Sequence, residues 1–401
     1  MTDPASPLLT LPDADWRHDA GLLRLITLLG GPQETRVVGG AVRDTLAGLP
    51  VSDIDMATRL LPAQVTERLD ISGVKWVAPG LAHGTVTAII DARPYEITTL
   101  RRDVSTDGRR ATVAFTDDWR EDAARRDFTI NALYADPVSG ALFDSVGGCE
   151  DLSAGRVRFI GDAAARIDED HLRILRWFRF LARFGGAVPD AETLAIISAS
   201  AAKLRGLSRE RVSDEVMRVM ALADPETTVA LMEKSGVLAQ IVPEALPGAH
   251  HRLAGLVGNE RLANRRADPA LRLIALLPVD PAQAESVASR LKLPNRLRKR
   301  IAIARGPALH GSPHERAYHL GVEGAVDRML LGPAALAGEI AEIADWAVPR
   351  LPIGGGDIIA LDIKPGPDVA RFLKLIENQW IAAGFPARAD TLAIAKATIG
   401  Q

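Results

Sequence analysis

Val37-Val38-Gly39-Gly40-Ala41-Val42-Arg43-Asp44 and, one short turn later, Asp53-Ile54-Asp55 decide how the chain is read. Val37 and Val38 read as the end of a buried strand. Gly39 and Gly40 let backbone amides approach a ligand closely, and the turn opens into a short helix, Ala41 to Leu46. Amides at a helix N-terminus attract phosphate. Arg43, in the first turn, has the fork geometry for phosphate oxygens. Gly48-Leu49-Pro50 then turns the chain into a second strand. Residues two apart on a strand share a face, so Asp53 and Asp55 project together while Ile54 faces the core. Paired carboxylates beside a phosphate cradle suit Mg²⁺, which takes few carboxylates and completes its shell with substrate phosphates. Alone, a Gly-Gly pair is usually a turn and an Asp-Ile-Asp a solvated strand end; joined at this spacing they point to a site.

The whole block resembles the signature of the nucleotidyltransferase superfamily that includes DNA polymerase beta. It is most similar to the class II branch, the CCA-adding tRNA nucleotidyltransferases and bacterial poly(A) polymerases. The resemblance implies an α+β N-terminal head, polymerase-beta-like with a small mixed sheet and helices, followed by an all-α neck, body and tail. Boundaries are expected at an N-terminal helix (1–29), a catalytic head (30–150), a neck for nucleobase recognition (151–215), a helical body (216–330) and a helical, tRNA-binding tail (331–401). The resemblance makes Asp53 and Asp55 catalytic residues and ligands for Mg²⁺, and Gly40 and Arg43 triphosphate holders. It offers Glu96 as a third carboxylate; a solvent-facing strand glutamate is the equal alternative.

Matching motifs continue along the chain. Arg125-Arg126-Asp127-Phe128-Thr129-Ile130-Asn131 resembles the second motif of the family and implies ribose and phosphate contact through Arg126 and Asp127; Asp and Asn suit a hydroxyl that donates and accepts. Phe143 to Leu152 resembles the hinge between head and neck. Asp168 to Arg183 reads as one helix, its acidic start suiting the positive end of the dipole. Arg173, Arg176, Arg179 and Arg183 share one side of it. Asp170 and Arg173, three apart, correspond to the pair that replaces a nucleic-acid template. A carboxylate accepts from the amino group of cytosine or adenine, and a guanidinium donates to the neighbouring ring nitrogen. Guanine and uracil present the reverse pattern, and each desolvated group left unpaired costs about 1–3 kcal/mol. Arg176 and Arg179 are expected to hold the triphosphate or the base surroundings. Leu207-Ser208-Arg209-Glu210-Arg211 resembles the fifth motif, with Ser208 as N-cap.

Elsewhere the expectations are plain. Trp16 to Leu29 and Leu61 to Leu69 read as helices, and Thr85–Ile90 with Tyr95–Thr99 as a hairpin. Arg101 to Arg110 reads as a mobile loop, and in the resembled family a loop here leans toward full CCA addition. Val157 to Ile160 reads as a short strand. Everything from Asp214 onward reads as helix, with Leu291–Arg305 basic, His250-His251 at the surface or capping, and Trp380 and Phe385 in a core.

Composition limits the classes. A chain of 401 residues, 47% apolar, is long for one core and folded throughout. The formal charge of −3 does not advertise nucleic acid, but arginine outnumbers lysine, and arginine suits bidentate phosphate recognition. One cysteine, Cys149, fits a reducing compartment. No apolar run approaches the roughly 20 residues of a membrane span, and the N-terminus lacks a secretory pattern. The expectation is a soluble cytoplasmic protein, monomer or homodimer, whose partners are tRNA and the substrates ATP and CTP, with no membrane. The nearest rival is a poly(A) polymerase, but Ala82-His83-Gly84-Thr85-Val86 stands where those enzymes carry a basic segment. A rival of another class is a catalytically inactive RNA-binding protein, against which the intact Asp53/Asp55 pair argues.

Overall fold

The computed structural model describes residues 9–107, 110–186, 189–245, 247–332 and 336–400. The chain divides into two compact units, Met1–Leu222 with Ala230–Ile241, and Ala223–Val229 with Val242–Gln401.

The first unit is built on a mixed sheet. Its strands are β1 (Leu9–Thr10), β2 (Thr35–Val38), β3 (Asp55–Thr58), β4 (Lys75–Gly80), β5 (Thr85–Ile90), β6 (Arg93–Thr99), the separate pair β7 (Arg101–Asp107) and β8 (Arg110–Phe115), then β9 (Leu133–Ala135) and β10 (Ala141–Asp144). The main sheet runs β1-β10-β9-β2-β3-β6-β5-β4. Strand β2 is buried at all four positions, as a central strand covered on both faces must be. It lies antiparallel to β3 and β9, while β3 lies parallel to β6.

Helices α1 (Ala20–Leu28) and α3 (Pro62–Ile71) bury Leu22, Leu25, Val65 and Leu69 with Val37, Met56 and Ile97 on one side of the sheet. Asp19 caps α1 by accepting from the Leu22 amide. On the other side, α4 (Trp119–Ala124) brings Trp119 and Ala123 against Val38, Ala57 and Tyr134. That second side carries the site. The β5–β6 turn places Asp91 and Ala92 at φ 51° and 63°, the positive angles a tight hairpin turn demands.

Four expectations need correction. The segment 1–29, expected as an N-terminal helix, also supplies a strand, because Leu9–Thr10 pairs at the sheet edge with β10. Arg101 to Arg110 is not a loop: β7 and β8 pair antiparallel, and the strand preference of Val104, Thr106, Thr112 and Val113 prevails over the charges that suggested mobility; residues 108 and 109 lie outside the described residues. Val157 to Ile160 forms no strand, only a single bridge from Phe159 to Phe128. The helix expected over Asp168–Arg183 is two, α6 (Ala163–Glu169) and α7 (Arg173–Phe184), with Asp170 extended at φ −152°, ψ 102° between them.

Between and after these come α2 (Gly40–Leu46), α5 (Gly148–Ser153), α8 (Ala191–Ser200) and α9 (Arg209–Met220). Ser208 caps α9 at the Arg211 amide, as expected.

The second unit contains helices and no strand among the described residues. Consecutive helices pack against each other, among them Ala249–Leu262 with Pro269–Leu276, Pro281–Arg290 with Asn295–Ala304, and Pro367–Ala382 with Arg388–Ile399. Asp268, Asp280 and Ser312 each cap a helix whose next residue is proline, the arrangement in which the missing N–H costs nothing. Arg272 and Glu260 pair at 2.8 Å in the interior. Trp380 is buried beside Phe385. At the start of the helix Gly355–Ile359, Asp357 accepts from Gly354 N. No helix among the described residues is long and apolar enough to cross a membrane.

Candidate active site

Gly39 stands between β2 and α2 at φ 71°, ψ −114°, a conformation that favours glycine. A Cβ there would lie 3.5 Å from the Asn131 carbonyl and 3.7 Å from Arg126 Nη1. The turn therefore lies directly under the Arg126 guanidinium. Across the sheet, Val38 pairs with Asp55, and Asp55 pairs in turn with Glu96. Asp53 precedes β3 and takes a hydrogen bond from Ser52 Oγ at 2.9 Å. Ile54 is buried between two exposed acids, as the alternation required. Desolvation, then the charges of Glu96 and Asp53, raises the Asp55 carboxyl above its ordinary range, and Arg126 opposes them. Among the described residues no arginine or lysine forms an ion pair with Asp53, Asp55 or Glu96, although neighbouring acids are matched with arginines. Mutually repelling carboxylates without a cation fit a divalent metal. The side chains are not drawn together as a finished cage: no group of three acids, His or Cys converges on one point among the described residues. Asp53 and Asp55 thus fit a metal that completes its shell with other oxygens.

Arg126 is held from below. Asp122, 1% exposed, accepts from Arg126 Nη2 at 3.0 Å, Arg125 Nε at 2.8 Å and Tyr134 Oη at 2.7 Å. Burial would raise its pKa, but Arg126 and Arg125 pull it down to about 2. Burial likewise works against the Arg126 charge, yet Tyr134 and Asp122 raise its pKa above the ordinary value. Asp127 accepts from Arg176 Nε at 2.8 Å and from Asn131 Nδ2 at 2.9 Å. Its pKa is lowered: burial opposes this, and Arg176 and Asn131 win.

Arg43 is not free for phosphate. It is 6% exposed, donates to Asp44 and Asn131, and stacks 4.4 Å from the Phe184 ring. In this arrangement Arg43 braces the turn from beneath. The α7 arginines are also engaged. Arg176 bridges Asp127 and Glu215, Arg179 pairs with Glu215 at 2.8 Å, and Arg183 reaches Asp44 at 3.0 Å. Asp44, Arg43, Asn131, Asp127, Arg176, Glu215 and Arg179 form one continuous polar chain through the unit.

Arg173 N donates to the Asp170 carbonyl at 3.0 Å, but among the described residues their side chains do not pair. The break before α7 leaves Asp170 accepting from Leu172 N at 3.1 Å and Arg211 Nη2 at 2.7 Å. Arg173 donates to Glu169 at 2.6 Å and to the Arg166 carbonyl at 2.8 Å. Each member is thus oriented by its own partner, and both stay partly open to solvent.

The model of the poly A polymerase head domain matches residues 35–158, and that of the probable RNA and SrmB-binding site of polymerase A matches 189–247. The mitochondrial CCA tRNA nucleotidyltransferase 1 of Mus musculus is 33% identical over 375 residues, 90% of this chain and 85% of that protein. The chain belongs to the class II tRNA nucleotidyltransferase and poly(A) polymerase family. The CCA-adding enzyme of Limosilactobacillus fermentum is 31% identical over 86% of this chain and 88% of its own length. The crystal structure of the Bacillus stearothermophilus CCA-adding enzyme in complex with CTP superposes with a TM-score of 0.73 at 26% identity, covering 93% of this chain and 94% of that one. These likenesses bear out the expected architecture, a mixed-sheet head followed by helices.

The head-domain match of this family member ends at Arg158, so it holds the glycine turn, the acid pair and Arg126, whereas Asp170, Arg173 and the α7 arginines lie beyond it. The sequence reading missed Asp122, Tyr134, Glu169 and Glu215 as partners. Asp122 was legible in principle, because it lies three and four residues before Arg125 and Arg126 at helical spacing. Glu215 lies on α9 and meets α7 through tertiary packing, which no local pattern announces.

Proposed function

We propose that this family member adds C, C and A to the 3′ end of tRNA from CTP and ATP, releasing pyrophosphate. The observation that carries the reading is the Asp53/Asp55 pair, which forms no arginine or lysine ion pair among the described residues and lies beside the Gly39–Gly40 turn and Arg126. Bound Mg²⁺ there would stabilise charge on the phosphates and lower the pKa of the attacking hydroxyl. The RNA 3′-oxygen forms a bond to the α-phosphorus, the α–β bridging P–O bond breaks, and pyrophosphate carries away the electron pair. Asp53 and Asp55 would hold the metal, and Glu96, in register with Asp55, would supply further negative charge at the same edge. Gly40 and the turn present amides to the triphosphate, Arg126 donates to its oxygens, and Asp127 with Asn131 serves the ribose. Asp170 and Arg173 read the amino group and ring nitrogen shared by cytosine and adenine, while Arg176 and Arg179 supply the charge around them. The rest of the helical chain grips the tRNA, with neck, body and tail divided as the sequence suggests. Cys149, free and half-buried, suits the reducing cytoplasm.

The test is a tRNA lacking its CCA end, incubated with labelled CTP and ATP. Growth by three nucleotides supports the reading. A ladder of adenosines means poly(A) synthesis, and salt-sensitive binding without incorporation means an inactive RNA-binding protein.

A further inference from the structure

We propose that Asp122 is a positioning residue for nucleotide binding, acting through Arg126. The inference rests on the nucleotide site proposed above and adds a group that touches neither metal nor substrate.

Asp122 is buried on α4, and its two carboxylate oxygens divide their work. Oδ1 takes Arg125 and, at 3.3 Å, the backbone amide of Arg101, the first residue of the β7–β8 hairpin. Oδ2 takes Arg126 Nη2 and Nε, at 3.0 and 3.2 Å, with the Tyr134 hydroxyl at 2.7 Å. The edge of Arg126 that carries Nε is thereby consumed. Its opposite nitrogen, Nη1, has a long contact of 3.5 Å to the Asn131 carbonyl and overhangs Gly39. Arg126 also acts on the charge of Asp55. The guanidinium thus overhangs the glycine turn, where a triphosphate reaching from the turn to the acid pair would meet it. A free arginine has many rotamers, and ordering one on binding costs entropy. Asp122 removes that cost in advance, and its negative charge offsets the desolvation of the Arg126 guanidinium. Tyr134 contributes direction without charge, and its ring lies 5.3 Å from the Arg126 guanidinium.

The experiment measures equilibrium CTP binding and the KM values for CTP and tRNA separately, for Asp122→Asn, Arg126→Met and the double variant. Asp122→Asn is expected to weaken CTP about tenfold or more and leave the tRNA KM within about twofold. In the Arg126→Met background the same substitution is expected to have no further effect on CTP. A merely structural role would change both substrates together, and an additive double variant would overturn the inference. If Asp122→Asn does not fold, Tyr134→Phe replaces it, with a smaller CTP effect that again vanishes in the Arg126→Met background; persistence there overturns the inference equally. If Arg126→Met alone leaves CTP binding unchanged, the underlying nucleotide site is wrong. If it weakens CTP while neither Asp122→Asn nor Tyr134→Phe does, the positioning role alone fails.

Discussion

Removing the Glu215 carboxylate should destabilise the first unit more than any surface ion pair would. The side chain is 2% exposed and takes Arg179 Nε at 2.8 Å, Arg218 Nη1 at 2.7 Å and Arg176 Nη1 at 3.8 Å. The three arginines lose unequally. Arg218 is 59% exposed and simply rehydrates. Arg176 retains Asp127 at 2.6 Å. Arg179, 15% exposed, pairs with no other acid among the described residues, and burial already depresses its pKa. Breaking a buried pair costs about 3–5 kcal/mol; because Arg179 keeps some contact with water, Glu215→Ala should cost about 3 kcal/mol, the low end. Glu215→Gln keeps an acceptor and should lose about 1–2 kcal/mol, less than a full charged hydrogen bond. The assay is urea unfolding of the ligand-free protein, with calorimetry to separate the units. Slopes of about 2–3 kcal/mol per molar urea turn the Ala loss into a midpoint shift of about 1 M in the first unit's transition, with the second unit's unmoved. A shift of less than about 0.3 M would mean that Glu215 and Arg179 are solvated independently and that the polar chain is not a structural unit.

Asp55→Asn should raise the melting temperature of the metal-free protein while abolishing incorporation. The folded pKa of Asp55 lies above its unfolded value, so its contribution to stability is lost as pH rises, and at neutral pH the charge destabilises the fold; an unchanged or lower Tm at pH 7 would contradict this. Asp122 has the opposite sign. With a folded pKa of about 2 against 3.8, its contribution is present above pH 3.8 and lost as pH falls toward 2, so Asp122→Asn should flatten the acid-unfolding curve in that window. Gly39→Ala places a side chain at φ 71°, ψ −114°, at a cost of about 1–3 kcal/mol; CTP binding should weaken while tRNA retention on filters persists. Arg211→Ala frees one oxygen of Asp170 and should raise UTP incorporation relative to CTP about tenfold in single-turnover assays. An unchanged ratio would mean that Leu172 N alone orients the carboxylate.

The sheet strands and the acid pair were legible because they are local facts: a two-residue alternation at Asp53-Ile54-Asp55, a glycine turn, a hairpin punctuated at Asp91-Ala92. The β7–β8 pair was not, because its Arg and Asp content outweighed the β-branched residues in a reading by composition. The break at Asp170 was hidden for another reason. Acidic residues followed by regularly spaced arginines look like one helix, but Asp170 is extended and bonds Leu172 N and Arg211. Arg43 shows the limit of motif reading. Its position in the first turn of α2 suggested an outward-facing donor, yet Phe184 and Phe180 from α7 close over it. Where an arginine points is decided by what packs against it from elsewhere in the chain.

Charge is distributed unevenly around the proposed site of a chain whose formal net charge is −3. Arg126, Arg176 and Arg179 are each engaged with an acid, although Asp122 is shared with Arg125 and Glu215 with Arg218. Among the described residues Asp53, Asp55 and Glu96 form no such pair, which leaves the strand edge negative. A bare triphosphate approaching that edge meets repulsion, whereas one already carrying a divalent cation meets carboxylates that complete the cation's shell. The arginines then contribute direction more than net charge, since the N–H groups their acids leave unused are fixed before binding. Metal dependence of CTP affinity follows from this imbalance and is separate from metal dependence of the chemical step. Substituting Asp53 and Asp55 together by asparagine should therefore let CTP bind without metal, while the same variant incorporates nothing.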